Sequence, residues 1–208
     1  MATTGPHTVT FAFMVVAGFL VGSVPFSLWM GRLGGVRDVR RHGSRNPGAA
    51  NVWKSAGRLL GVATGALDAG KGAAVVWLSW RLGLPDEVAV WSGAAAVVGH
   101  DYSPWLGWRG GKGGATTAGM LACFLFPELL IVLLLWLAWC AIDPRRKFLG
   151  SIAAVSMTPI LATMSGRLFP DAPFLPPARP WSVVIASALL VVLLWVRVAP
   201  GLKSGTGS

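Results

Sequence analysis

The feature that most constrains this 208-residue chain is a succession of apolar runs of near-membrane length, separated by short polar connections. A helix needs about 20 mostly apolar residues to cross a bilayer, within a range of roughly 17–25. The runs fall at Val9–Met30, Leu59–Trp80, Val88–Val98, Thr116–Phe126, Leu129–Ile142, Leu149–Phe169 and Trp181–Val198. The third, fourth and fifth are short for a full crossing, so their ends are expected to reach into the polar flanks. Apolar residues make up 54% of the chain and charged residues 12%, about half the usual charged share of a soluble domain. A soluble fold of this size would struggle to hide so much apolar surface, and disorder requires low hydrophobicity. The two cysteines, Cys123 and Cys140, both lie in apolar runs, which argues against a disulfide-stapled secreted domain. The first run lacks the positively charged lead-in of a cleaved signal peptide.

Charge placement sets the orientation. The chain carries 18 Lys and Arg against 8 Asp and Glu. In a soluble protein that excess would point to nucleic acid. Here the cations gather between apolar runs and no nucleic-acid motif accompanies them, so a bilayer and an anionic small molecule are the expected partners. The first connection holds Arg32, Arg37, Arg40, Arg41, Arg45, Lys54 and Arg58, whereas the second has only Arg81 beside Asp86 and Glu87. The third holds Arg109 and Lys112, the fourth has no cation, and the fifth has Arg145, Arg146 and Lys147. The Pro-rich sixth, Asp171 to Pro180, has Arg179, and the tail has Arg197 and Lys203. Basic and basic-poor connections alternate. By the positive-inside rule this predicts an all-α polytopic bundle of seven transmembrane helices, N-terminus outside and C-terminus cytoplasmic. No repeat or pair of similar halves suggests a solenoid or an inverted-repeat transporter. Residues 1–208 are expected to form a single integral-membrane domain, with a flexible tail from about 203 to 208.

Two connections on the cytoplasmic side are too rich in glycine and asparagine to be plain topology loops. The first runs Arg40-Arg-His-Gly-Ser-Arg-Asn-Pro-Gly-Ala-Ala-Asn-Val-Trp-Lys54. Its glycines permit tight turns, and Ser44, Asn46, Asn51 and Lys54 supply polar groups for an anion-binding concavity. Arg37, Arg40 and Arg41 read as a solvated run that fixes topology. The second runs from Gly99-His-Asp to Arg109-Gly-Gly-Lys-Gly-Gly-Ala-Thr116 and leads straight into an apolar helix. Amides of Gly110, Gly111 and Gly113 can converge on phosphate oxygens at a helix start. Lys112 adds a point charge, and Thr116 offers a hydroxyl in the first turn. This is no Walker A loop, because Gly113 follows Lys112 where Ser or Thr is required.

Inside the second run, Asp68 and Lys71 share a helix face. Each would cost about 2.5–3.5 kcal/mol alone at the bilayer centre, so a structural ion pair supporting the site is expected. His100-Asp101 invites a general-base reading for His100, which only geometry can decide. The scattered His and Cys give no zinc pattern, and no metal or cofactor is expected. Trp105 and Trp108, beside the glycine loop, are candidates for lining an acyl groove.

Taken together, Gly22-Ser-Val-Pro-Phe26, Gly43-Ser-Arg-Asn-Pro-Gly-Ala-Ala-Asn51, Leu67-Asp-Ala-Gly-Lys-Gly72, Gly99-His and Arg109-Gly-Gly-Lys-Gly-Gly-Ala-Thr116 resemble one family in order and spacing. It is the bacterial integral-membrane glycerol-3-phosphate acyltransferases that use acyl phosphate as donor. The resemblance is close over about residues 15–120 and otherwise rests on the span pattern. It implies seven spans with an outside N-terminus and a multi-pass protein of the bacterial inner membrane. It also implies transfer of an acyl chain to the sn-1 hydroxyl of glycerol 3-phosphate at the cytoplasmic face, giving lysophosphatidate for phospholipid synthesis. By position it makes Ser44, Asn46 and Lys112 catalytic. Asn51, Lys54, Arg109, Gly110, Gly111, Gly113, Thr116 and His100 become substrate-binding. The implied partners are acyl phosphate, glycerol 3-phosphate, the bilayer and the enzyme that supplies acyl phosphate, around a monomer.

The chain departs from the family pattern in places. Arg45 stands where Gly is usual, Ala50 for Thr, Lys54 for Arg and Arg109 for Lys. The family's His-Arg-Glu-Asn after the last span is replaced by Val196-Arg-Val-Ala-Pro-Gly-Leu-Lys203. A relative with another acceptor, or with no activity, is therefore the first alternative, and a small-solute transporter with Asp68 and Lys71 on its pathway is the second. The chemistry itself asks for two phosphate-bearing molecules held together and for an oxyanion stabilised. The hydroxyl proton has two takers, the leaving phosphate and His100.

Overall fold

A computed structural model describes residues 6–143, 153, 155–168 and 181–203. The regular elements among them are all helical: α1 (Pro6–Ser23), α2 (Phe26–Leu33), α3 (Ala49–Ser55), α4 (Arg58–Arg81), α5 (Asp86–Asp101), α6 (Gly114–Ile142), α7 (Thr158–Leu168) and α8 (Trp181–Lys203), with 3-10 turns at Val39–Arg41 and Pro104–Leu106. The chain gathers into two compact units, Met1–Met120 and Leu121–Ser208.

The first apolar run is not one helix. Pro25 lacks an N–H and cannot continue the ladder, so α1 stops at Ser23 and α2 begins at Phe26. The stretch Thr8–Leu33, which takes in most of α1 and all of α2, and the helices Arg58–Arg81 and Gly114–Ile142 are each long and apolar enough to cross a membrane. α5 is 16 residues, about 24 Å at 1.5 Å per residue. Asp86 and Glu87 occupy its first turn, where the helix dipole favours anions. Asp86 also accepts from Trp80 Nε1 at 2.7 Å across the α4–α5 turn.

Thr116–Phe126 and Leu129–Ile142, expected as two spans parted at Pro127, are two helices that run together across a kink within α6. The break between them falls at Leu125, two residues before Pro127, with non-helical φ −131°, ψ 36°. A proline's ring clashes with the preceding turn, but the flanking apolar residues still need helical backbone pairing. Of the expected span Leu149–Phe169, α7 covers Thr158–Leu168; most of the rest, and the Pro-rich connection at 171–180, lie outside the described residues. The expected seventh span runs on to Lys203 as α8, and the remaining tail, 204–208, lies outside them too.

In the first unit the helices touch at glycines. Gly18 lies on the Ser92 carbonyl and Gly22 on that of Ala96, while Gly99 lies on that of Phe19. A Cβ at any of the three would collide with the facing backbone, as in the small-residue packing of membrane helices. The register, 18 with 92 and 22 with 96, makes α1 and α5 parallel. Asp68 beside His100 and Val76 beside Gly93 make α4 antiparallel to α5. Gly113 beside Val97 and Met120 beside Gly93 make α6 antiparallel to α5 as well. Successive runs therefore alternate in direction. It follows that the 24–57 connection and the 102–113 connection sit at the same end of this unit.

In the second unit, α7 and α8 bury Ala162, Val183, Ala186 and Leu190. Trp195 Nε1 donates to Ser156 Oγ at 3.1 Å.

Candidate functional site

The two glycine-rich connections fold against each other at their shared end of the first unit. Val39 and Val52 from the first and Leu106 from the second are buried with Leu28 in one apolar cluster. A narrow cleft opens beside it, lined by Ser23–Ser27, Pro47, Asp68, Lys71, His100, Ser103, Leu106 and Gly111. Pro47 comes from the first connection and Gly111 from the second, so both segments contribute to its wall.

The break in the first span supplies part of this site. Where α1 stops, its last carbonyls lose helical partners. Ser103 Oγ donates to the Ser23 carbonyl at 2.6 Å, and Lys71 Nζ donates to that of Val24 at 3.2 Å. Lys71 Nζ also lies 3.0 Å from Asp68 Oδ1, with both side chains 3% exposed. His100 Nδ1 stands 3.6 Å from the same oxygen. The expected pair is present, and it shares the cleft with His100.

The glycine loop is folded back on the end of α5. The Gly110 amide donates to the Asp101 carbonyl at 3.0 Å and that of Gly111 to His100 at 3.1 Å. A Cβ on Gly110 would strike the His100 carbonyl, and one on Gly111 would strike Nε2 of the His100 ring. Gly113 has φ +68°, and a Cβ there would lie 2.8 Å from Asp101 Oδ1. Each of these three glycines thus lets the loop lie flat on His100-Asp101. Two of the amides assigned to phosphate are directed at α5 carbonyls. Lys112 is half-buried, and desolvation pushes its pKa below the ordinary lysine value. Thr116 is fully buried in the first turn of α6, its hydroxyl without a hydrogen-bond partner among the described residues. Arg109 is exposed.

In the first connection, Asn51, expected to contact substrate, holds the backbone of its own loop. It is 1% exposed. Its Nδ2 donates to the Val39 carbonyl at 2.7 Å and the His42 carbonyl at 3.1 Å, and its Oδ1 accepts from the Ser44 amide at 3.1 Å. The amide is spent on shaping the 39–44 turn, because that turn's buried backbone groups must be paired. Gly43, with φ +52°, lies against Asn51 Oδ1. Ser44 is exposed and Asn46 half-exposed on the far limb of the loop, and Lys54 is exposed on α3. Arg45 has φ 59°, in the left-handed region that favours glycine.

Sequence reasoning treated Arg40 as topology charge alone. Arg40 Nε and Nη2 pair with Asp38 Oδ1 and Oδ2 at 3.1 and 3.0 Å, and Nη1 donates to the Leu106 carbonyl at 3.0 Å. The hydrogen bond to Arg40 holds Asp38 below the usual carboxylate range, and Asp38 in turn holds Arg40 up. The available signal was Asp38 itself, the single acid in a basic connection. Trp105 is 68% exposed, but its Nε1 donates to Ser23 Oγ at 2.9 Å. Trp108 is 61% exposed, with its ring 6.5 Å from that of Phe19.

Residues 12–204 match the protein-family model described as Glycerol-3-phosphate acyltransferase. Among curated relatives, the glycerol-3-phosphate acyltransferase of Paramagnetospirillum magneticum is 44% identical over 144 residues, 69% of this chain and 71% of that one. Those of Rhodospirillum rubrum and Aromatoleum aromaticum are 37% and 36% identical, over 88% and 93% of this chain and 81% and 91% of theirs. Among solved structures, PlsY, described as an integral membrane glycerol 3-phosphate acyltransferase, in its glycerol 3-phosphate form, superposes with a TM-score of 0.80 at 28% identity. The match covers 95% of this chain and 94% of that one.

Proposed function

Because this chain belongs to the glycerol-3-phosphate acyltransferase family, we propose that it transfers an acyl chain from acyl phosphate to the sn-1 hydroxyl of glycerol 3-phosphate. The products are 1-acylglycerol 3-phosphate and inorganic phosphate. The observation that carries this reading is that Pro47 of the first glycine-rich connection and Gly111 of the second line one cleft. The reaction needs two phosphate-bearing molecules held side by side, and two cationic segments at one end of a bundle are suited to that.

In this reading the glycerol hydroxyl oxygen attacks the acyl carbonyl carbon, and the bond from that carbon to the phosphate oxygen breaks with its electron pair leaving on phosphate. Lys112 and the loop amides not used by α5 hold the charge that develops on the oxyanion and the departing phosphate. Ser44 and Asn46 contact substrate from the opposite limb, where Lys54 and Arg109 add charge and Thr116 a buried hydroxyl. Asn51 acts one step removed, through the 39–44 turn. His100 is held by Asp68 on one side and faces Gly111 on the other, so the proton passes to the leaving phosphate or to His100. Trp105 and Trp108 border the acyl chain where it enters lipid. We place the site at the cytoplasmic face of a seven-span monomer in the bacterial inner membrane. The spans have an outside N-terminus, and a separate enzyme supplies the acyl phosphate.

The test is phosphate release from a long-chain acyl phosphate by purified protein, with and without glycerol 3-phosphate. Release should depend on glycerol 3-phosphate and fall about 10²–10³-fold in Lys112→Ala, the usual scale for one oxyanion donor. No turnover, or full turnover in the variant, would overturn the reading. The Val196–Lys203 sequence, which lacks the family's His and Asn, favours a second reading in which the acceptor is a different phosphorylated polyol. A panel of such acceptors separates the two, since exclusive use of glycerol 3-phosphate removes the second.

A further inference from the structure

We infer that Asp38 and Arg40 form a clasp that sets the spacing between the two glycine-rich segments, making Arg40 a positioning residue for the transfer reaction. The inference rests on the proposed function for its catalytic consequence, but its structural half stands alone. The Asp38 carboxylate takes Nε and Nη2 of Arg40, and its Oδ1 also caps the 3-10 turn by accepting the Arg40 amide at 3.0 Å. That fixes the plane of the guanidinium. The remaining Nη1 reaches 66 residues along the chain to the Leu106 carbonyl at 3.0 Å.

The carbonyl chosen matters. Leu106 lines the cleft and belongs to the apolar cluster with Val39, the residue just before Arg40. Val39 is fully buried in that cluster, so the turn is anchored there while the next side chain crosses to the Leu106 carbonyl. The 102–108 stretch is tied on its other side to the end of α1, by Ser103 Oγ to the Ser23 carbonyl and Trp105 Nε1 to Ser23 Oγ. Leu106 is therefore held from two sides, and the glycine loop hangs from it five residues later. Without the clasp, the Asn51-shaped turn would keep its shape while the 102–111 stretch loosened and the gap between the two segments widened.

A lysine could not do this. Its ammonium can meet Asp38 or Leu106, but it has no rigid fork to bind a carboxylate with two donors and leave a third aimed elsewhere. A lysine keeps the positive-inside charge in full. Arg40→Lys therefore separates the clasp from a role in topology.

The experiment has two arms on intact protein in detergent. Amide hydrogen exchange is measured across 102–111 in wild type, Arg40→Lys and Asp38→Asn; faster exchange there in both variants, with the α1–α5 contact unchanged, is expected. Kinetics should show kcat in Arg40→Lys reduced about 10–100-fold, the scale of an ångström-level misplacement, at an unchanged unfolding temperature. Alkylguanidinium should restore Arg40→Ala where alkylammonium does not; should that variant fail to fold, Arg40→Lys decides alone. Wild-type exchange across 102–111 in Arg40→Lys would overturn the clasp. Faster exchange with wild-type kcat would overturn the positioning role. A wild-type protein that transfers no acyl group would sink the proposed function instead, leaving the exchange arm to judge the clasp.

Discussion

Lys71 Nζ donates to the Val24 carbonyl at 3.2 Å, closing the gap that Pro25 opens in the first apolar run. The same ammonium pairs with Asp68 at 3.0 Å, so one cation serves a broken helix and a buried carboxylate. Removing one partner of a buried pair typically costs about 3–5 kcal/mol, because the other charge is left uncompensated. Lys71→Met should destabilise by about that much, and Lys71→Met with Asp68→Leu by less than the sum of the two single changes. Thermal unfolding of the three variants in one detergent provides the cycle, and strict additivity would contradict the pairing.

Gly111 and Gly114 lie three residues apart in one loop and should respond oppositely to alanine. A Cβ on Gly111 would enter the space of the His100 ring, whereas one on Gly114 meets nothing within 4 Å. Gly111→Ala should push the loop off α5 and lower kcat/KM about 10²-fold, since displacement of order 1 Å costs that much. Gly114→Ala, at the start of α6, should be active and stabilised by about 0.4–1 kcal/mol through the unfolded chain. Equal behaviour of the two would show that the loop does not rest on His100.

In the proposed function Lys112 should set an alkaline limit. Burial disfavours its ammonium, so its pKa in the folded protein lies below the ordinary lysine value. Between those two values the unfolded chain binds more protons than the folded one, so folding stability rises with pH. The charge needed for phosphate is lost over the same window. The kcat/KM profile should therefore fall on its alkaline side before an ordinary lysine would titrate, while stability does not. Lys112→Arg, which stays charged, should move that limb upward even if its overall rate is lower.

Arg45 holds φ 59° at an exposed position. A side chain in the left-handed region costs about 1–2 kcal/mol, and glycine there gives back about 0.4–1 kcal/mol through the freedom of the unfolded chain. Arg45→Gly should thus raise stability by about 0.5 kcal/mol, while a β-branched Arg45→Val should lower it by about 1 kcal/mol or more. Unfolding temperatures of both, measured against wild type, check the sign of each.

Much of the fold was written in the order of the residues. The apolar runs located the helices of the first unit, and the alternation of basic connections matched the alternating directions of α1, α4, α5 and α6. The breaks were harder. Pro25 divides a run that composition reads as one helix, and the break expected at Pro127 falls two residues earlier, at Leu125. A proline's effect depends on whether neighbouring groups satisfy the backbone it frees. At the break a lysine from α4 donates to the Val24 carbonyl. No pattern in the first run records that partner.

The sequence by itself determined which segments are apolar, which are cationic and which glycines permit a flat loop, because these follow from side-chain chemistry one residue at a time. The tertiary structure alone decided what the polar side chains do. It turned Asn51 inward onto Val39 and His42, set His100 between Asp68 and Gly111, and carried Arg40 across to Leu106. A buried donor must find an acceptor, but which acceptor it meets depends on how connections distant in the chain come together at one end of the helices.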